Sequence, residues 1–152
     1  MTARQKWSII AATLVGSMFI SGFIILIIWL CTKESLSVLV RNSTKEFAGF
    51  LVNYATATLG FVVTVCAIYV SLGHTTITSI YKSNGYDSLL WSYLIVDILI
   101  LIILLFDAFM LLFETQHGWG IYTAFILLFP SLVFFVFPTM STLFLSSKKS
   151  FS

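Results

Sequence analysis

The chain has 152 residues, of which 59% are hydrophobic and only 9% charged, with a mean hydropathy of +1.04. A water-soluble globule carries about a quarter charged residues, so this composition excludes one and points to a membrane. The net charge of +2 is scattered over ends and connections, with no basic stripe interleaved with aromatics, and direct contact with nucleic acid is not expected.

Four apolar segments, at about residues 7–31, 47–72, 88–113 and 119–145, each reach the roughly 20 residues that a helix needs to cross a bilayer. Isolated strands would leave backbone groups unsatisfied in lipid, whereas helices satisfy them internally. The expected fold class is therefore all-α, a bundle of four transmembrane helices forming a single domain over residues 1–152.

Arg4 and Lys6 precede the first segment as in a signal peptide, but the apolar run continues to about Cys31 with no small-x-small cleavage site close behind, so an uncleaved first span is expected. Ser8, Ala12 and Gly16 share one helical stripe, with Ser17 and Ser21 beside it; such spacing favours a helix contact in the amino-terminal half. In the connection that follows, Val38-Leu39-Val40 suits a headgroup boundary. Ser43 and Glu46 have the spacing of a capping box, which starts the second long helix near Thr44.

Along the second segment Gly49, Asn53, Ala57, Gly60 and Thr64 recur every three or four residues and form a small, polar stripe. That stripe needs protein or water rather than lipid and is the expected interface or axis of a homo-oligomer. After Leu72 the chain turns polar, with a turn dipeptide at Asn84-Gly85, and Asp87 or Ser88 is expected to cap the third helix.

The third segment carries Asp97 and Asp107 inside and Glu114 at its end, while no segment holds a lysine or arginine to pair with them. A carboxylate at bilayer depth costs roughly 2.5 kcal/mol or more unless it is protonated, hydrated or partnered. Asp107 and Glu114 lie nearly on one helix face, and the helical period puts Asp97 about 80° away. This staggered set suits a cation or proton path, or a sensor that responds to the state of the membrane. The structural alternative is an acid hydrogen-bonded to Asn53 or Thr64 of the second segment.

The fourth segment is rich in phenylalanine and contains Pro130 and Pro138, each of which frees a carbonyl that Ser131, Thr139 or Ser141 is placed to satisfy. Basic residues set the topology. Arg4, Lys6, Lys82, Lys148 and Lys149 fall on one side, against Lys33, Arg41 and Lys45 on the other, so both termini are expected in the cytoplasm. His74, Lys82 and Asp87, with Lys148 and Lys149, are then expected on the cytoplasmic side. No phosphate loop, metalloprotease helix, paired Cys-x-x-Cys or nucleophile elbow occurs, and no enzyme activity, cofactor or metal is expected.

Tyr54-Ala55-Thr56, then Ile80-Tyr81-Lys82 and Gly85-Tyr86, resemble the small membrane subunit of the lambda Rex exclusion system, which also has four spans and an acid in the third. The middle connection of that family is strongly basic, whereas here only Lys82 and His74 occur. In size and span count the chain also resembles the membrane subunit of the bacterial Kiwa defence system, which works with a cytosolic partner. Both resemblances imply phage defence in a bacterial inner membrane, by depolarisation through an oligomeric conduit or by sensing of membrane disturbance and relay to the partner. A scaffold or anchor for a soluble effector, and a holin-like pore former, are the other classes compatible with these spans.

Overall fold

The structure, a computed structural model, describes residues 2–41, 43–72, 79, 82–113 and 119–149. Four long helices dominate: α1 (Ala3–Thr32), α3 (Thr44–Ser71), α4 (Tyr86–Leu112) and α5 (Trp119–Lys149), with the short α2 (Leu36–Arg41) between the first two. All four are long and apolar enough to cross a membrane, which makes the protein an all-helical, multi-pass membrane protein.

Local chemistry sets the helix ends, in part against expectation. Thr2 opens α1 with a reciprocal cap: its hydroxyl accepts from the Gln5 N–H at 3.3 Å, and the Gln5 Oε1 accepts from the Thr2 N–H at 3.0 Å. α1 closes at Lys33, whose left-handed backbone (φ 55°) returns its N–H to the Trp29 carbonyl. α3 begins at Thr44 as expected, yet the box between Ser43 and Glu46 does not form. Ser43 sits at φ −123°, ψ 25°, outside the extended backbone that aims a capping hydroxyl at the first turn, and makes no side-chain cap bond.

α4 likewise starts without the cap expected from Asp87 or Ser88. Gly85, at φ 76°, makes the turn, and both candidate side chains are taken by other helices. Asp87 accepts the Tyr69 hydroxyl from the end of α3, and Ser88 accepts Lys6 Nζ from α1 at 3.1 Å.

α4 packs along both α3 and α5, and α1 lies mainly against α5. The shared core contains Leu51 and Ala55 of α3, Leu101, Leu104 and Ala108 of α4, and Ala124 and Phe134 of α5. Alanines at these contacts let the helix backbones approach closely, which replaces the hydrophobic drive that lipid removes. Outward-facing Phe19, Phe23, Phe61, Val63, Phe106 and Met140 present an apolar exterior suited to acyl chains. On α1 the buried face carries Ile10, Ser17 and Ser21, while Ser8, Ala12 and Gly16 point outward, so the neighbouring stripe makes the contact.

α5 runs unbroken through both prolines. Pro130 cannot donate to the carbonyl of Ile126 four residues earlier. Ser21 of α1 fills the gap, its hydroxyl donating to that carbonyl at 3.2 Å as well as to its own Ser17 carbonyl at 3.1 Å. The rescue comes from another helix rather than from Ser131. Ser21→Ala should therefore lower stability by about 0.6 kcal/mol, the mean for a single intramembrane hydrogen bond, and by no more than about 1.7 kcal/mol, in a detergent unfolding titration. An unchanged transition would show that Ile126 needs no outside donor.

Candidate intramembrane polar site

The inward face of α4 follows a strict alternation of four- and three-residue steps: Leu90, Leu94, Asp97, Leu101, Leu104, Ala108 and Leu111 are all buried. This is the seam spacing of packed helix pairs. Asp97 occupies one of its core positions with its side chain completely enclosed. Its Oδ1 accepts a hydrogen bond from Ser131 Oγ of α5 at 3.2 Å, and Ser131 Oγ lies 3.1 Å from the Tyr54 hydroxyl of α3. Three helices thus meet in one Tyr54–Ser131–Asp97 chain, while Asp97 Oδ2 is buried with no partner.

Neighbouring contacts hold this chain in place. Tyr54 stacks on Phe50 at 6.3 Å between ring centroids, and the Thr58 hydroxyl donates to the Tyr54 carbonyl at 2.8 Å. One turn before Asp97, Tyr93 packs against Phe134 and Phe137 of α5 at 4.8 and 4.7 Å, with its hydroxyl 2.8 Å from Thr13 Oγ1 of α1. Ser131 lies on the same α5 stripe as Phe134, which is why it points inward.

Asp107 forms a separate contact. It is half-buried at the flank of the seam, and its Oδ2 accepts from Thr123 Oγ1 of α5. Gly120 permits this approach: a Cβ there would come within 3.1 Å of Leu111 Cδ2 and 3.4 Å of Asp107 Oδ1. Ten residues of helix, about 15 Å of rise, separate the two acids. The seam between them consists of apolar Leu101 and Leu104, both fully buried. The expected ladder is therefore two isolated acids along the inside of a single copy, and Glu114 lies outside the described residues.

The structural alternative, an acid hydrogen-bonded to Asn53 or Thr64, does not form within one copy, where Asp97 and Asp107 bond Ser131 and Thr123 of α5 instead. Asn53 and Thr64 are exposed on the outer side of α3, and the Thr64 hydroxyl donates back to the Gly60 carbonyl at 3.0 Å. α3 instead turns Leu51, Ala55, Thr58 and Val62 inward, where Leu51 and Val62 fill core volume that the glycines of the stripe would leave empty. Ala57 and Gly60 are also exposed, Gly49 is half-buried, and a Cβ added to either glycine meets nothing within 4 Å. The small polar stripe is accordingly unused inside one copy.

Of the residues expected on the cytoplasmic side, Lys82 is exposed, whereas Asp87 is half-buried and bonded to Tyr69. His74 lies outside the described residues, as do the side chains of Lys148 and Lys149, although α5 includes their backbone. Among the described residues no group of His, Cys, Asp and Glu is placed to hold a metal ion, and Cys31 and Cys66 are free thiols. Comparison with protein-family models, curated proteins and solved structures finds no match.

Sequence reasoning missed Ser131 as the partner of Asp97, Tyr54 as the partner of Ser131, and Thr123 as the partner of Asp107. The available signal was the spacing on α5, where Ser131 falls three residues before Phe134 on a stripe that includes Ala124. A double-mutant cycle between Asp97→Asn and Ser131→Ala should give a coupling near 0.6 kcal/mol and no more than about 1.7 kcal/mol. Strict additivity of the two changes in unfolding free energy would remove the contact.

Proposed function

We propose that the protein is a non-enzymatic membrane sensor in which Asp97 is the responsive group. The observation that carries this reading is an enclosed carboxyl with one hydrogen bond and one orphan oxygen at the contact of three helices. Leucine there would pack without the penalty of an unsatisfied polar atom, so the acid is retained at a cost in stability. Entry of water or a change in charge at Oδ2 alters the α4–α5 seam directly, and a shift in that seam moves Ser131, Tyr54 and the helix ends together. Tyr69 and Asp87, which tie α3 to α4 at one such end, are placed to transmit the shift to a soluble partner.

The resemblance to phage-defence membrane subunits supports a place in the bacterial inner membrane, with both termini and the exposed Lys82 in the cytoplasm beside a protein partner. Homo-oligomerisation is part of the proposal. Asn53 and Thr64 project from a face of α3 with no use within one copy, and an amide at bilayer depth gains from a second copy. Conduction, the second reading in the same class, would need several copies around an axis, since Leu101 and Leu104 close the interior of one.

Two measurements test this. Asp97→Asn should fold and reach the membrane yet lose phage protection and any infection-linked change in membrane potential, whereas Asp107→Asn should retain both; unchanged protection in Asp97→Asn would sink the assignment. For the oligomer, Ala57→Cys in a background with Cys31 and Cys66 replaced should form a disulfide dimer in native membranes, with Phe106→Cys as a lipid-facing control. A solely monomeric Ala57→Cys would contradict the α3 interface.

A further inference from the structure

At the end of the bundle where α1 and α4 begin, Gln5, Ser8 and Ile9 of α1 and Asn84, Tyr86 and Leu89 line an open cavity of about 510 Å³. Its wall differs from those of two other grooves among the described residues. Those along Leu132 to Phe144 and along Val15 to Leu26 are lined almost wholly by apolar side chains, whereas this one combines an amide from each side, a hydroxyl and a phenol with two aliphatic residues.

The α1 side of the cavity is rich in donors. Thr13, Ser17, Ser21 and Thr32 spend their hydroxyls on carbonyls of their own helix, but Ser8 makes no such bond and stays exposed. The Gln5 Oε1 is consumed by the Thr2 N–H, which leaves the Nε2 end to donate. Lys6 Nζ is held 3.1 Å from Ser88 Oγ, between the lining residues Tyr86 and Leu89 in sequence, and 5.3 Å from the centre of the Trp7 ring. Arg4 lies one turn before Ser8 on the same stripe, and both Arg4 and Lys82 are exposed at this end. The nearby acid, Asp87, is occupied by the Tyr69 hydroxyl.

From this geometry we infer a binding site for the phosphate-bearing headgroup of an anionic membrane phospholipid, seated between the starts of α1 and α4. Phosphate oxygens only accept hydrogen bonds, which matches amide, hydroxyl and ammonium donors. A membrane lipid, rather than a soluble phosphate compound, fits the rest of the surroundings. Ile9 lines the cavity and is 43% exposed, Trp7 beside it is 56% exposed, and Ala12 continues the outward face, so an acyl chain has an apolar path from the headgroup into the bilayer. One turn beyond Ile9 the bond between Thr13 and Tyr93 joins the two helices that carry the site. The inference is independent of the role given to Asp97.

The test uses the purified full chain in nanodiscs of phosphatidylcholine and phosphatidylglycerol in equal parts, with the lipid retained after detergent transfer counted by native mass spectrometry. Phosphatidylglycerol should be retained preferentially. Lys6→Gln should reduce that preference about fivefold, the factor contributed by one cation at an anionic lipid surface. Ser8→Leu, which fills the cavity without removing a charge, should reduce it as well, while Lys33→Gln at the opposite end of α1 should leave it unchanged. Circular dichroism checks that each variant folds, and if Lys6→Gln does not, Ser8→Leu decides alone. Equal retention of the two lipids, equal loss in Lys33→Gln, or displacement of phosphatidylglycerol by inorganic phosphate at matched concentration would each overturn the lipid site.

Discussion

Lipid supplies no hydrogen bonds, and most of this structure follows from that single constraint. The backbone satisfies itself in helices, and hydroxyls in the spans return to carbonyls of their own turn, as Thr56, Thr58, Thr64 and Thr139 do. Where a helix breaks the rule, a neighbour repairs it: Pro130 frees a carbonyl of α5 and Ser21 of α1 bonds to it. Tyr93 of α4 finds Thr13 of α1, and Tyr69 of α3 finds Asp87 of α4. These side-chain bonds are also the polar ties between helices, so the same constraint that shapes each helix sets their mutual positions.

Asp97 stands out because it obeys only half of this rule. Its Oδ1 is bonded through Ser131 toward Tyr54, whereas Oδ2 has no partner although it is fully buried. The residue sits on a seam otherwise made of leucine and alanine, where an apolar side chain would pack without penalty. A polar group at one core position can fix the register between helices, and that structural use is served by Oδ1 alone. The orphan oxygen adds nothing to register, and it is the feature on which the proposed response to water or charge rests. Asp107, paired with Thr123 and half-buried, has a satisfied local contact and no comparable tension.

Much of the fold was legible because lengths and apolar runs are direct consequences of bilayer thickness. The four helices begin and end within a few residues of the apolar segments, and the turn at Asn84-Gly85 has the left-handed glycine that its dipeptide implied. Helix ends were less legible, since Ser43 matches a cap by spacing while its backbone does not, and Ser88 is diverted by Lys6 from a helix 82 residues away in the chain. Which face turns inward was least legible. Spans apolar on nearly every side carry little amphipathic signal, so spacing left Asn53 and Thr64 as candidate partners of an α4 acid, whereas Leu51, Thr58 and Val62 face the core instead. The location of Asp97 was readable in retrospect from the four-three alternation of leucines on α4. Its partner was harder to read, because the only signal for Ser131 was its place on the α5 stripe of Ala124 and Phe134, on a helix apolar on nearly every side.

In the proposed sensor, Asp97 changes its hydration or hydrogen bonding when the membrane is disturbed. Infrared difference spectroscopy of the protein in oriented bilayers, recorded before and after an imposed membrane potential is collapsed, measures this directly. A carboxyl band should shift on depolarisation, be absent from Asp97→Asn, and move in Ser131→Ala but not in Asp107→Asn. A difference spectrum with no band sensitive to Asp97→Asn would contradict this role.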